Sequence, residues 1–321
     1  MRGKYLIVAA MLAAATGATA AAATFPARPV RMIVPLAPGG GSDIVARIAA
    51  AALGDAWGQS IVVDNRPGAG SVVGTALAAK ALPDGHTLLV SSSSLAISPA
   101  LYKELPYDLR RDFAPVTLLA SQPSALAVHV SVPAASAREL IALAKAQPGR
   151  LAYGSAGPGS ATHLGSELFR IAGGIELLHL PYKSAGLATN ALLSGEAQVL
   201  LTNMASVLPH IKGGRLRVLG VTSLKRSPLA PDVPTVAESG LPKFEYLTWY
   251  GMVVPAGTPR PVVDVIARDT SRALRAPAFL DRFTQQGLDL LVTSPADFGR
   301  FLDAELQRWD AVVRKAGIKA E

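Results

Sequence analysis

A two-lobed α/β fold with a cleft between the lobes follows from three observations. Short apolar strands alternate with helical stretches in two successive series of about equal size. Strand after strand runs into a turn rich in glycine or serine that opens a helix. The C-terminal stretch holds one strand with two or three helices, a poor independent domain, so it returns to complete the first series. The first lobe is therefore expected from 24–124 together with 225–321, the second from 125–224, with two chain crossings between them. Composition agrees, since 321 residues with 50% hydrophobic and 17% charged suit a well-buried globular chain.

The elements follow in order. Arg2 and Lys4 precede the uncharged run YLIVAAMLAAA (5–15) and then the small residues Ala18, Ala20, Ala22 and Ala23, which is the layout of a secretory signal peptide over 1–23. Strands are expected at 30–36, 60–64 and 87–92, with helices from Ser42 to about Leu53 and from Ser71 to Leu82 between them. After the Pro-punctuated stretch 102–116, the second series begins with a strand at 125–130. Ser136 and Glu139 then form a capping box for a helix ending near Gln147. Further strands are expected at 151–155, 176–181, 197–202 and 216–222, and the returning one at 246–254. Ser294 and Asp297 open a last helix whose Phe298, Phe301, Leu302, Leu306, Trp309 and Val313 recur at helical spacing, which marks a core-facing side.

Composition excludes several classes. With no cysteine there is no disulfide, thiolate metal site, cysteine nucleophile or lipidated cysteine. The apolar N-terminal run is shorter than the ~20 residues that span a bilayer, and no later segment of that length lacks charges or Pro/Gly. The formal charge is +8 and becomes +6 without Arg2 and Lys4 (8 − 2). The remaining cations are scattered and aromatics make up only 6%, which excludes a nucleic-acid surface and leaves a bias toward small anions.

The stretch IVPLAPGGGSDIVARI (33–48) carries the functional question. A turn at the carboxyl end of a parallel strand aims backbone N–H groups and the positive end of a helix dipole at one spot, where an anion sits well. Pro38, Gly39, Gly40 and Gly41 let the backbone approach a ligand, and Ser42 caps the helix or offers a hydroxyl. Taken alone the turn serves packing as readily as binding. The device recurs, however, with Gly70 in DNRPGAGSVVG (64–74), Ser92 and Ser93 in SSSSLAIS (91–98), Ser155, Gly157, Ser160 and His163 in YGSAGPGSATHLG (153–165), and Tyr182 in LPYKSAG (180–186). Turns from both lobes are expected to converge on one cleft.

Competing chemistry finds less support. GAGSVVG has G-x-G-x-x-x-G spacing, and Asp84 lies in a turn rather than at a strand end, so a dinucleotide site is disfavoured. There is no phosphate-binding loop ending in G-K-S/T, no G-x-S-x-G elbow and no H-E-x-x-H, and the five histidines lack ligand spacing. No metal or cofactor is expected, and no enzymatic activity. A secreted serine hydrolase is the alternative that generic ester substrates would test. His163 either contacts a ligand or pins its turn, and the lack of a paired carboxylate or nucleophile favours pinning.

The fragments FPARPVRMIVPLAPGGGSDIVAR, VVDNRPGAGSVVGT, PDGHTLLVSSSS, YGSAGPGSATHLGSELF, LPYKSAG, PHIKGGRLRVLGVTSLKRSPLAPDVPTVAESGLP and VPAGTPRPVVDVI, in this order, resemble the Bug-type solute receptors of tripartite tricarboxylate transporters. The resemblance covers essentially the whole chain after the signal. It implies a periplasmic binding protein of the two-lobed type II (Venus flytrap) fold, a monomer that closes on a small organic carboxylate and presents it to two integral-membrane subunits. A role in ligand sensing for a signalling system is the alternative within the same family. By the resemblance, Gly39, Gly40, Ser42 and Asp43 face Ser155, Gly157, Ser160 and His163 across the ligand. Asp43 would repel an anion, so it is assigned to the helix N-terminus or to bracing the loop. The family pattern carries acidic residues where this chain has Gln198 and Thr202. The first change is read as surface variation. Thr202, ending a strand that faces the cleft, removes a partner for a ligand ammonium and points to an unaminated carboxylate.

Overall fold

The computed structural model describes residues 25–316, so the signal-peptide expectation over 1–23 lies outside the described residues. Among the described residues there are ten strands: β1 (Val30–Val34), β2 (Ile61–Asn65), β3 (Thr87–Ser92), β4 (Phe113–His129), β5 (Ala152–Ser155), β6 (Leu178–Pro181), β7 (Val199–Asn203), β8 (Leu216–Val221), β9 (Leu247–Pro255) and β10 (Asp289–Leu290). Their order is β2-β1-β3-β9-β4-β7-β5-β6, with β8 and β10 also paired to β4. Pairing is parallel in β2-β1-β3 and in β7-β5-β6, as the alternation of strands and helices predicts. It is antiparallel wherever β4 or β9 takes part, because these two strands arrive by other routes than a helical crossover. The sheet is therefore mixed, with its parallel ladders toward the two ends.

β4 differs most from expectation. It runs 17 residues, through Pro115 and Pro123, where the sequence predicts a strand only from 125. Proline normally terminates a strand by removing a ladder donor. Here register shifts between Pro115 and Thr117 and between Leu118 and Ala120 absorb the irregularity. From Phe113 to Pro123 the strand pairs with β9, and from Ser124 onward with β7 and β8. One continuous strand thus passes from the first α/β unit to the second. Beside it the chain returns through Thr222, which is buried. Its hydroxyl accepts from the Ser124 N–H (2.8 Å) and donates to the Tyr246 carbonyl (2.5 Å), fastening the two crossings together.

Helix starts follow their caps. Ser136 accepts from the Glu139 N–H at 3.2 Å and Ser294 from the Asp297 N–H at 3.1 Å, as the sequence predicts. The helix expected from Ser71 begins at Val72, and the first one extends over Gly41–Trp57 before Gly58 closes it in a left-handed conformation (φ 63°). An additional helix, Ser94–Leu101, follows β3. In the C-terminal helix Pro295–Ala316, Phe298, Leu302, Trp309 and Val313 are buried in a cluster with Ile33 and Leu89 of one unit and Leu126 and Tyr153 of the other. The Trp249 and Trp309 indoles both donate to Glu305 Oε2 (2.7 and 3.0 Å), which ties this helix to β9.

Candidate functional site

A cleft of about 220 Å³ opens where β4 changes partners, with Gln122, Pro123 and Ser124 on its wall. Four helices begin at this cleft: Gly41–Trp57 from the first unit, and Ala161–Gly173, Ala185–Ser194 and Met204–Lys212 from the second. The first N–H groups of a helix have no acceptor within it, and the dipole places positive potential there. In the second unit, Ser160, Ser184 and Asn203 each accept a third-position N–H (3.2, 3.2 and 2.9 Å). The first-turn donors ahead of them, at Ala161, Thr162, Ala185 and Gly186, line the cleft.

The first-unit helix is built differently. Its N-cap, Gly40, supplies no side chain. Asp43 instead turns back, its Oδ2 accepting from the Gly39 N–H (2.9 Å) and from Arg47 Nε (2.9 Å). Burial by itself would raise the Asp43 carboxyl, but the bonds from Arg47 and Gly39 hold it below the usual carboxylate range. The carboxylate braces the glycine turn and does not line the cleft. Ser42 does line it, 2% exposed, with an Oγ that has no partner among the described residues.

The glycines divide by role. A Cβ on Gly39 would meet nothing within 4 Å and one on Gly40 only the Ala37 carbonyl at 3.7 Å. On Gly41 it would fall on the Tyr250 hydroxyl, with the ring Cζ at 2.7 Å. The close approach is therefore made by Gly41, and to a side chain of β9.

Of the sequence-predicted residues, Pro38, Gly39, Gly40, Ser42, Ser92, Ser160 and Thr202 line the cleft. Ser155, Gly157 and His163 stand behind the wall. Ser155 Oγ accepts from the Gly157 N–H (3.1 Å) and bonds His179 Nε2 (2.7 Å), while His163 Nδ1 accepts from the Gly159 N–H (3.2 Å). The loop's N–H groups at Ala156, Gly157 and Gly159 are thus consumed by Thr162, Ser155 and His163, which moves the available donors to Ala161 and Thr162. Ser93 is fully buried beneath the cleft, and Tyr182 packs on the core cluster of Ala188 and Leu200. Gly70 faces Pro158 instead of the cavity. Gln198 is not a surface variation, because its Oε1 accepts from the Ala152 N–H (2.9 Å) and its Nε2 donates to the Gly195 carbonyl (2.7 Å). Residues the sequence did not single out also line the cleft, among them Gln122, Asn203, Thr248 and Tyr250. Asn203 carried a usable signal, an N-cap residue straight after a strand, whereas Gln122, Thr248 and Tyr250 lie within strands and carried none.

His163 is 5% exposed, and its ring stacks on that of His179 at 4.3 Å between centroids. Burial, assisted by His179, depresses its pKa to about 4. The unfolded chain takes up this proton near pH 6.5 and the folded chain only near pH 4. His163 therefore costs no stability above about pH 6.5, and about 3 kcal/mol is lost as pH falls to about 4. Urea unfolding of wild type and His163→Gln between pH 7 and 4 should show a shallower acid decline in the variant, and equal slopes would refute the assignment.

Lys183 is the only formally charged side chain among the described residues lining the cleft; no carboxylate lines it. The sequence pattern of the tripartite tricarboxylate transporter family receptor matches residues 45–318. BugT of Bordetella pertussis is 39% identical over 308 residues, covering 95% of this chain and 94% of its own. An R. palustris protein solved with adipate is 33% identical with a TM-score of 0.87, covering 92% of this chain and 99% of its own. MatC of Rhodopseudomonas palustris, solved with malate, is 32% identical with a TM-score of 0.83, covering 90% and 100%.

Proposed function

As a member of the tripartite tricarboxylate transporter receptor family, this chain is a periplasmic carboxylate-binding receptor of the two-lobed type, and we propose that its ligand is a small carboxylate without an amine. One observation carries this reading: four helix N-termini converge on a cleft whose lining, among the described residues, includes Lys183 and no carboxylate. An ammonium group there would meet positive potential with no anionic partner. Anionic groups suit both walls, which supports ligands of the kind seen in the adipate and malate complexes. The lobes comprise 24–124 with 225–321 and 125–224, and the protein acts as a monomeric binder, without cofactor, that hands its cargo to two membrane subunits. Among the described residues no helix is long and apolar enough to cross a membrane, and the mature protein lacks roughly the first 20 to 24 residues, as intact mass of exported protein would show.

Protein refolded free of ligand and heated with mono-, di- and tricarboxylates tests the reading. At a hundredfold excess over Kd a ligand adds ~2.7 kcal/mol to stability, a clear thermal shift. A response confined to amino acids, sugars or peptides would refute it. Ser42→Ala gives a sharper result. Its Oγ is buried without a partner among the described residues, so removal should leave melting unchanged or slightly raised. The lost hydrogen bond to an ionised ligand group, ~1.5–3 kcal/mol, should weaken calorimetric affinity about ten- to a hundredfold. Loss of stability without loss of affinity would place Ser42 outside the site.

A further inference from the structure

Four consecutive residues after β2 have positive φ: Gly68 (148°), Ala69 (44°), Gly70 (61°) and Ser71 (100°). Two are not glycine, and L side chains rarely adopt this region, so neighbouring contacts must hold the segment in place. Those contacts are visible. Ser71 is fully buried, and the Tyr102 hydroxyl donates to the Ala69 carbonyl at 3.2 Å. A Cβ on Gly70 would collide with the Pro158 carbonyl oxygen and stand 3.4 Å from the Tyr102 hydroxyl. A Cβ on Gly159 would stand 3.1 Å from Leu101 Cδ1.

Pro158 and Gly159 form the apex of the turn between β5 and the helix whose first residues, Ala161 and Thr162, line the cleft. Gly68–Ser71, Leu101 and Tyr102 belong to the β1–β3 unit. The two units therefore also touch here, at the edge of the core cluster they share, which includes Leu101. At Gly70 the approach to Pro158 is main chain against main chain, which only glycine there permits.

We propose that Gly68–Ser71 is a preformed seat into which the Pro158–Gly159 turn docks when the lobes close, with Gly70 and Tyr102 as positioning residues that do not touch ligand. The inference rests on the reading of the chain as a receptor that closes on its ligand. It assigns a function to the strained segment and to Gly70. Apparent affinity scales with the population of the closed arrangement, so a substitution that props the seat open weakens binding with every ligand contact intact.

Two experiments test the seat. Calorimetry and stopped-flow with adipate or malate, whichever binds wild type, should show Gly70→Ala at least tenfold weaker, mainly through faster dissociation. Tyr102→Phe, which loses the anchor to Ala69, should bind about threefold weaker. Gly149→Ala is the control, since Gly149 also has positive φ (69°) but nothing within 4 Å of its Cβ position, and it should bind as wild type. Independently of any ligand's identity, the chain has no cysteine, so Ala69→Cys combined with Pro158→Cys, which leaves Gly70 in place, should form one disulfide on oxidation. Ala69→Cys with Gly159→Cys is the second pair should the first fold poorly. Wild-type affinity and rates in Gly70→Ala, or failure of both pairs to cross-link, would overturn the seat. If neither acid binds wild type, a binder from the carboxylate panel takes their place; if no carboxylate binds, that reading fails separately and the cross-link still decides this proposal.

Discussion

Gly41→Val is expected to weaken carboxylate binding more than a hundredfold and to lower stability by about 1–3 kcal/mol, a typical overpacking cost. The added Cβ would fall on the Tyr250 hydroxyl, with the ring Cζ at 2.7 Å. Tyr250 cannot swing away cheaply, because it is 4% exposed, lies in the core cluster with Val45 and Met252, and donates to Gln122 Oε1 at 3.2 Å. The helix start must move instead, and with it the N–H groups of Gly41 and Ser42. Displacing two bonds to an ionised group costs about 3 kcal/mol or more. Gly40→Ala is the companion variant. Gly40 has φ −83° and ψ 169°, and its Cβ would meet only the Ala37 carbonyl at 3.7 Å, so affinity should fall less than about threefold. Calorimetry on both, with urea unfolding alongside, checks the pair. Equal losses at the two positions would mean that the collision with Tyr250 does not control the site.

The largest stability effect is expected at Glu305. Its side chain is nearly buried, and Oε2 accepts from the Trp249 and Trp309 indoles while Oε1 accepts from Arg308 at 3.2 Å. Glu305→Ala leaves two buried N–H donors without an acceptor, each costing ~1–3 kcal/mol, so the variant should lose about 4 kcal/mol and melt about 10 °C lower. Glu305→Gln keeps an oxygen in place and should lose less than half as much. The effect should spread beyond one lobe, because the helix Pro295–Ala316 packs on a cluster shared by both units. An alanine variant melting within 1–2 °C of wild type would show that water or relaxation satisfies the indoles.

Much of this architecture is local information. Alternating strands and helices, the caps at Ser136 and Ser294, and the apolar stripe of the last helix depend on residues within a few positions of one another, and the structure has them where the sequence predicts. The convergence of glycine and serine turns is also readable, since strand-to-helix turns in parallel units open at the same edge of the sheet. What misled was local as well. The Pro-punctuated stretch 102–116 read as a break, yet β4 runs through Pro115 and on through Pro123 because partners on β9 and two register shifts hold it.

Short-range patterns encode the fold class, the family resemblance and the places where strands run into helix N-termini. Which atoms those termini leave free depends also on contacts between distant elements. Tyr250 filling the space at Gly41 and Pro158 resting on Gly70 join segments far apart in the chain, whereas Asp43 bracing Gly39 and His163 capturing the Gly159 N–H each span four residues and agree with the roles read from the sequence. Asp43 and His163 spend donors of their own turns, whereas Tyr250 and Pro158 fix how closely Gly41 and Gly70 are approached. A glycine turn carries the same residues whether its N–H groups are spent on the protein or left for an anion, and the difference lies in side chains that only folding brings within ~3 Å.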